Sequence, residues 1–301
     1  MVYGKEGYNM PLPSFHYHEP ASLVEACRML ASFGEKGILM AGGTDLLVKM
    51  KSREVQPENI ISLTQLKEIN RISFTDNHLT IGAGCTISQI AESAVICSAF
   101  PALASGAEHL GSPTVRNMGT IGGNIMTASP AADLPPALMA YGASVRLKSN
   151  NQERFLPLEQ IFCSPGVTCI KENEILADIH IEKPQEMSGA GFFKLGNRKA
   201  LQISIINGAC YVALNPENGK IQTSRIVLGA VAPIPIRAVS AEEVLMGQKP
   251  CADLFEKAGK AAALGCKPID DLRGSAEYRK DMVGVLTRRT LLSAFEQIER
   301  T

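Results

Sequence analysis

The sequence has no Cys-x-x-Cys pair, no apolar run long enough to cross a bilayer and no excess of charge of either sign. Each absence removes a class of function. The eight cysteines, at positions 27, 85, 97, 163, 169, 210, 251 and 266, are scattered, so the spacing that chelates zinc or an iron-sulfur cluster is missing. They read as reduced structural thiols, although Cys163 and Cys169, the closest pair, leave a redox couple open. His16 and His18 have no evident further ligands, and no metal site is assigned to them. Thirty basic residues balance thirty acidic ones, so no net field attracts nucleic acid or an anionic membrane, and neither is an expected partner. The first thirty residues contain Lys5, Glu6, Glu19 and Glu25 without a continuous apolar stretch, which argues against a secretory leader and for a cytoplasmic protein. The P-loop pattern, internal repeats and low-complexity segments are all lacking.

What is present is the composition of a soluble globular protein. Hydrophobic residues make up 45% and charged residues 20% of 301 positions, a length that suits two or three domains. Ser22-Leu-Val-Glu25 reads as a capping box opening a helix over 22–33, with Gly34 to end it. Gly37-Ile-Leu-Met-Ala41 is a short apolar strand, followed by two glycines and a helical pattern from Thr44 to Met50. Short strands are expected near 59–63, 69–74 and 78–83, and Thr86-Ile-Ser-Gln89 is a second capping box for a helix through Ser93. Pro101 to Leu110 reads as a helix with proline in its first turn. The stretch 111–124 is so rich in glycine and small polar residues that it reads as a loop, a candidate ligand cradle. A short helix and strand follow over 136–148, then an alternating strand over 175–182. Beyond a boundary near Gly189, two strands flank the hairpin turn Asn215-Pro-Glu-Asn-Gly-Lys220. Ser240-Ala-Glu-Glu243 is expected to cap a helix ending at Gly247, and 252–265 and 275–299 carry two more helical patterns. The last third is therefore an antiparallel sheet with helices.

Two glycine-rich segments carry the chemistry. Ala41-Gly-Gly-Thr-Asp45 lies between a strand and a helix, where free backbone amides and the positive helix end accept a phosphate. Gly122-Gly-Asn124 repeats that chemistry, with Thr120, Asn124 and Thr127 adding side chains near a run of exposed amides. Two cradles suit the two phosphates of a dinucleotide, and Asp133 is placed to accept hydrogen bonds from ribose or adenine donors. Each Gly-Gly taken alone is a tight turn, and Asp133 before Pro135 and Pro136 is a capping residue; the combination is what informs. Ile81-Gly-Ala-Gly-Cys-Thr-Ile87 competes as a Rossmann motif, but Ile87 stands where the third small residue is needed, and no complete βαβ unit follows.

At this point the sequence resembles the FAD-binding subunits of xanthine dehydrogenase, carbon monoxide dehydrogenase and related molybdenum hydroxylases. Leu39-Met-Ala-Gly-Gly-Thr-Asp-Leu46 is similar to the family's first pyrophosphate loop. Thr114-Val-Arg-Asn-Met-Gly-Thr-Ile-Gly-Gly-Asn-Ile125 and Ala128-Ser-Pro-Ala-Ala-Asp133 resemble its second loop and the acid behind it. The similarity continues through Phe193-Lys194, Val231-Ala-Pro-Ile-Pro-Ile-Arg237 and Ser275-x-x-Tyr278-Arg279, and so spans nearly the whole chain. The resemblance implies an α+β protein: a two-subdomain FAD-binding domain of the vanillyl-alcohol-oxidase (PCMH) type over 1–67 and 68–188, then an α+β domain of antiparallel sheet and helices over 189–301. It also implies FAD contacts by Leu39, Met40, Ala41, Gly42, Gly43, Thr44, Asp45, Leu46, Thr120, Gly123, Asn124, Thr127 and Asp133, with Leu110, Leu176 and Lys194 as further candidates. The sequence departs from the family in the segment Asn197 to Ser204, where Gln202 stands in place of an aspartate near the flavin.

The chemistry so implied is electron transfer. In such enzymes substrate is oxidised at a molybdenum cofactor, and electrons cross [2Fe-2S] clusters to FAD and then reach NAD or another acceptor. This chain has neither the cysteine pattern for the clusters nor the length for a molybdenum domain, so a molybdenum-cofactor large subunit and an iron-sulfur small subunit are the expected partners. No catalytic side chain is assigned, because binding, orienting and tuning the flavin is the protein's task. A stand-alone flavin reductase of the same fold would need its own proton donor and NADPH reaction, and the helical C-terminal third argues against it. A scaffold without flavin would show no chromophore.

Overall fold

The computed structural model describes residues 12–75, 77–198 and 201–300; Lys199 and Ala200, inside the Asn197 to Ser204 segment, lie outside them. The chain opens with β1 (His16–His18), α1 (Leu23–Phe33), β2 (Gly37–Met40), α2 (Leu46–Lys51) and β3 (Asn59–Ser62). The three strands form a parallel sheet in the order β1-β3-β2. Helix α1 buries Leu23, Ala26, Cys27 and Leu30, a single stripe at helical spacing, against Ile61, Leu66, Ile69 and Ile175. Its start corrects half of the expected capping box. The Ser22 hydroxyl accepts the Glu25 N–H at 3.2 Å, but the Glu25 carboxylate takes the N–H of Ala21, at 2.7 Å, rather than that of Ser22.

The middle of the chain holds β4 (Ile72–Phe74), β5 (His78–Gly82), α3 (Ile87–Glu92), α4 (Ala94–Ala99), α5 (Pro101–Glu108), α6 (Pro113–Met118), α7 (Ile121–Met126), α8 (Leu134–Ala140), β6 (Ser144–Lys148), β7 (Glu153–Pro157), β8 (Phe162–Ser164), β9 (Val167–Thr168) and β10 (Ile175–Glu182). An antiparallel sheet runs β4-β5-β10-β6-β7. Leu79 and Ile81, Val145 and Leu147, and Ile179 and Ile181 alternate onto its inner face, where they meet the buried side chains of α3, α5, α7 and α8. The outer face carries the alternate, polar residues of the same strands, as the period of two requires.

Residues 111–124 correct the sequence reading. They fold as two short helices, α6 and α7, rather than a loop, because Ser112 and Thr120 each cap the helix that follows and Pro113 sits at the first helical position. The complete Thr86–Gln89 capping box does form. The competing Gly-x-Gly segment lies in the antiparallel sheet, with no βαβ unit around it. A Cβ at Gly82 would stand 2.2 Å from the Ile69 carbonyl oxygen, so that glycine answers to the close passage of another backbone segment.

The remainder comprises β11 (Ser188–Leu195), β12 (Ile206–Leu214), β13 (Ile221–Gly229), β14 (Ile236–Arg237), α9 (Val239–Leu245), α10 (Ala252–Leu264) and α11 (Ala276–Glu299). The strands make an antiparallel sheet in chain order, β11-β12-β13-β14, and the helices cover it through Phe255, Ala258, Val283, Leu291 and Ala294. The expected turn joins β12 to β13, with Gly219 at φ +66°. Ser240 does not cap α9, which starts at Val239 after an Ala238 with no side-chain cap; its hydroxyl instead donates to Ala261 O at 3.4 Å. Strands β1, β7, β8, β9, β11 and β14 were not expected from the sequence. Among the described residues no helix is long and apolar enough to cross a membrane.

Candidate functional site

A cleft of about 530 Å³ opens between the parallel sheet and the α6–α7 corner, a size typical of sites for small organic molecules. Its first wall is the turn from β2 into α2. Gly43 there has φ +69°, a left-handed conformation that favours glycine. A Cβ at Gly42 would stand 1.8 Å from Met118 O and 2.5 Å from Met118 C, so the turn lies directly on the backbone at the end of α6. The backbone N–H groups from Ala41 to Asp45 donate no hydrogen bond among the described residues. They form a row of free donors at a helix start, the arrangement that receives an anion.

The second wall is α7, and it works differently from the sequence expectation. Its first amides are already engaged: Ile121 N–H donates to Cys85 O at 3.0 Å, Gly122 N–H to Ala83 O at 2.8 Å and Gly123 N–H to the Thr120 hydroxyl at 3.1 Å. The run of exposed amides expected there is closed by the turn between β5 and α3. Side chains carry this wall instead. Thr120 Oγ1 accepts from Gly123, which leaves its own hydrogen free to donate, and Asn124 Oδ1 is buried with no hydrogen-bond partner. A buried orphan carbonyl costs about 1–3 kcal/mol, and such an atom beside a cleft marks a missing ligand donor.

The structure brings Leu39, Met40, Ala41, Gly42, Gly43, Thr44, Asp45, Leu46, Leu110, Thr120, Gly123, Asn124, Thr127 and Leu176 together around this one cleft. Asp133 and Lys194 are not in its lining. They form a buried ion pair with Nζ 2.5 Å from Oδ2, and Lys194 also donates to His109 O at 2.9 Å, one residue from Leu110. A third wall, Ile170 to Glu172 with Glu174 and Ile175, was not found in the sequence beyond Leu176. It is held by Arg154, which donates Nε and Nη2 to the two Glu174 oxygens at 2.7 Å each, while the Lys171 N–H reaches Glu174 Oε2 at 2.9 Å. Nothing in the spacing of 154 and 174 announces that pair. Among the described residues no group of three or more His, Cys, Asp or Glu side chains is placed to hold a metal ion, and all eight cysteines are free.

The family profile described as the FAD binding domain in molybdopterin dehydrogenase matches residues 13–184, and that of the CO dehydrogenase flavoprotein C-terminal domain matches 191–294. The chain belongs to this family of FAD-binding subunits. The carbon monoxide dehydrogenase medium chain of Hydrogenophaga pseudoflava is 31% identical over 283 residues, covering 94% of this chain and 98% of that one. The nicotine 6-hydroxylase medium subunit of Paenarthrobacter nicotinovorans is 30% identical over 285 residues, covering 95% and 99%. The solved carbon monoxide dehydrogenase from Hydrogenophaga pseudoflava superposes with a TM-score of 0.89 at 32% identity over 95% of this chain and 99% of that chain. Quinoline 2-oxidoreductase from Pseudomonas putida 86 gives 0.88 at 26% identity, covering 96% and 99%. These relatives are subunits of oxidoreductases.

The cleft fits the cofactor that the family binds. The free amides of Ala41 to Asp45 suit phosphate oxygens, the turn has no room for a Cβ at Gly42, and the orphan Asn124 Oδ1 calls for a donor such as a hydroxyl or an N–H. The Arg154–Glu174 pair gives the third wall a pH dependence. The hydrogen bonds from Arg154 hold the Glu174 carboxyl below the usual carboxylate range, against the opposing effect of burial and with help from the Lys171 amide. Because the folded-state value is depressed, the pair's contribution is complete above the ordinary glutamate value and fades as pH falls through the lower folded one. Acidification should therefore release FAD only below the usual carboxylate range. Glu174→Gln, which keeps shape and loses charge, should bind FAD about tenfold more weakly at neutral pH and lack that acid step, as read by flavin fluorescence during an acid titration.

Proposed function

We propose that this chain is the electron-transfer subunit of a molybdenum hydroxylase of the xanthine dehydrogenase type, with FAD lying along the cleft between the Ala41–Asp45 turn and α7. The observation that carries the assignment of the site is the meeting, in one cleft, of a row of unpartnered backbone N–H groups with the unpartnered Asn124 Oδ1. The turn amides hold phosphate oxygens. Thr120, Asn124 and Thr127 bond polar groups of the cofactor, while Leu39, Leu46, Leu110 and Leu176 exclude water from its apolar parts. When bound, the flavin converts between the one-electron steps of iron-sulfur clusters and the two-electron steps of NAD or another acceptor. No side chain of the cleft is needed as nucleophile or general acid.

The molybdenum cofactor and the [2Fe-2S] clusters belong, on this reading, to a large and a small partner subunit. The names of the relatives, medium chain and medium subunit, support that division, as do cysteines too scattered to hold a cluster. Three domains with boundaries at 67/68 and 188/189 are supported in outline by the change of sheet between β3 and β4 and between β10 and β11, although Ser188 already opens β11. The test is the visible spectrum of the purified chain, with chromatography of the chromophore released on denaturation. Stoichiometric FAD is expected, together with at most diaphorase-like turnover of artificial donors. A chain that holds no flavin even after FAD is added, or that hydroxylates substrate alone, overturns the reading.

A further inference from the structure

We infer that Arg116 is a positioning residue for the cofactor cleft: it holds the Leu110 carbonyl and so keeps the Leu110 side chain in the cleft wall. Leu110 lies in the link between α5, which ends at Glu108, and α6, which starts at Pro113. Within that link its N–H reaches Ala107 O at only 3.3 Å. Gly111, at φ +53°, turns the link back on itself. A Cβ there would stand 3.1 Å from Val115 Cγ1, so the link folds directly onto α6, and Leu110 and Val115 line the cleft together. Ser112 fixes the phase of α6, because its hydroxyl accepts the Val115 N–H at 3.2 Å and its carbonyl the Arg116 N–H at 2.8 Å. From that phase the Arg116 side chain reaches back along the link, and Nη1 donates to Leu110 O at 3.0 Å. One residue earlier, His109 O accepts Lys194 Nζ at 2.9 Å, so two successive carbonyls each take a cation. Hydrogen bonds from charged donors are roughly twice as strong as neutral ones. Among the described residues no carboxylate pairs with Arg116, whose side chain bonds Leu110 O. Arg116 is not itself in the cleft lining; it acts on the site through Leu110.

The consequence for FAD rests on the functional reading above. The test is a double-mutant cycle on the full chain, read as the FAD dissociation constant from flavin fluorescence, with far-UV circular dichroism and the thermal midpoint measured in parallel. Arg116→Met removes the donor and Leu110→Ala the side chain that it places, and each should weaken FAD binding by on the order of tenfold. Together they should cost no more than Leu110→Ala alone, since residues that act through one another are not additive. A general loss of stability would instead add to the Leu110 effect. Arg116→Lys, which keeps a cationic donor for the carbonyl, should recover most of the loss. Arg116→Gln, too short for the same reach, takes the place of methionine in the cycle if Arg116→Met does not fold. An additive cycle, an unchanged dissociation constant without the arginine, or a lysine variant as weak as the methionine one each overturns the inference and leaves the functional reading standing. A parent chain that takes up no FAD sinks that reading and this inference with it.

Discussion

The Gly42→Ala chain should emerge from purification without flavin. The added methyl carbon would lie 1.8 Å from Met118 O, 2.5 Å from Met118 C and 3.0 Å from Gly119 Cα. These are backbone atoms, with no side chain to swing away. They are also fixed, because the Gly119 N–H is bonded to Val115 O at 2.7 Å and the Ile87 N–H to Gly119 O at 2.9 Å. Relief must come from moving either the turn that presents the free amides or the corner that presents Thr120, and each move separates the two walls of the cleft. Overpacking of this kind costs about 1–3 kcal/mol in a core. Here it falls on the geometry of the site, so FAD affinity should drop at least about a hundredfold, or about 2.7 kcal/mol. The flavin-to-protein ratio after gel filtration and a fluorescence titration with added FAD measure it, with far-UV circular dichroism to show that the fold survives. Gly34→Ala is the control: its φ of +53° imposes backbone strain, but nothing lies within 4 Å of the new carbon, and FAD should remain. Native affinity in Gly42→Ala would mean that the close approach of turn and corner is not what makes the site.

Much of the site was legible because glycine loops between a strand and a helix leave a local signature, and the residues around 39–46 and 120–127 carry it in adjacent positions. What stayed hidden was which donors are free. The amides at the start of α7 look as available in sequence as those of the first turn, yet Ala83 O and Cys85 O occupy two of them, a tertiary fact contributed by the end of β5. The helices α6 and α7 were hidden for a related reason: the small polar residues that suggest a loop are Ser112 and Thr120, the caps that start them. Asp133 and Lys194 were both singled out, but as separate contacts to a ligand. Their pairing joins the start of α8 to β11, and no sequence pattern encodes it. The Arg154–Glu174 bridge was missed for the same reason, since β7 itself was not foreseen. The β12–β13 hairpin was legible because its Asn-Gly turn is a local rule.

Replacing Arg279 should bring a large loss of stability. Ser275 caps α11 by accepting the Tyr278 N–H at 3.1 Å, which fixes the phase of the helix and turns Arg279 into the core, where 3% of it is exposed. From there Nη1 donates to Ile205 O and Ala230 O, both at 3.0 Å, and Nη2 pairs with Asp271 at 2.6 Å. One guanidinium thus ties the start of β12, the end of β13 and the turn before α11. Arg279→Met keeps the length of the side chain and most of its apolar contacts, but leaves two buried carbonyls without their donor and takes one of two arginine partners from Asp271, which keeps Arg273 at 2.9 Å. Leaving a buried carbonyl without its donor costs about 1–3 kcal/mol for each of the two, a large share of the ~5–15 kcal/mol that holds a typical domain together. The thermal midpoint should fall by on the order of 10 °C. Arg279→Lys should recover little of it, because an ammonium cannot span the carbonyls and the carboxylate as the planar fork does. A midpoint within about 2 °C of the parent, well below the shift that a loss of this size implies, would mean that the three segments hold their places without the arginine.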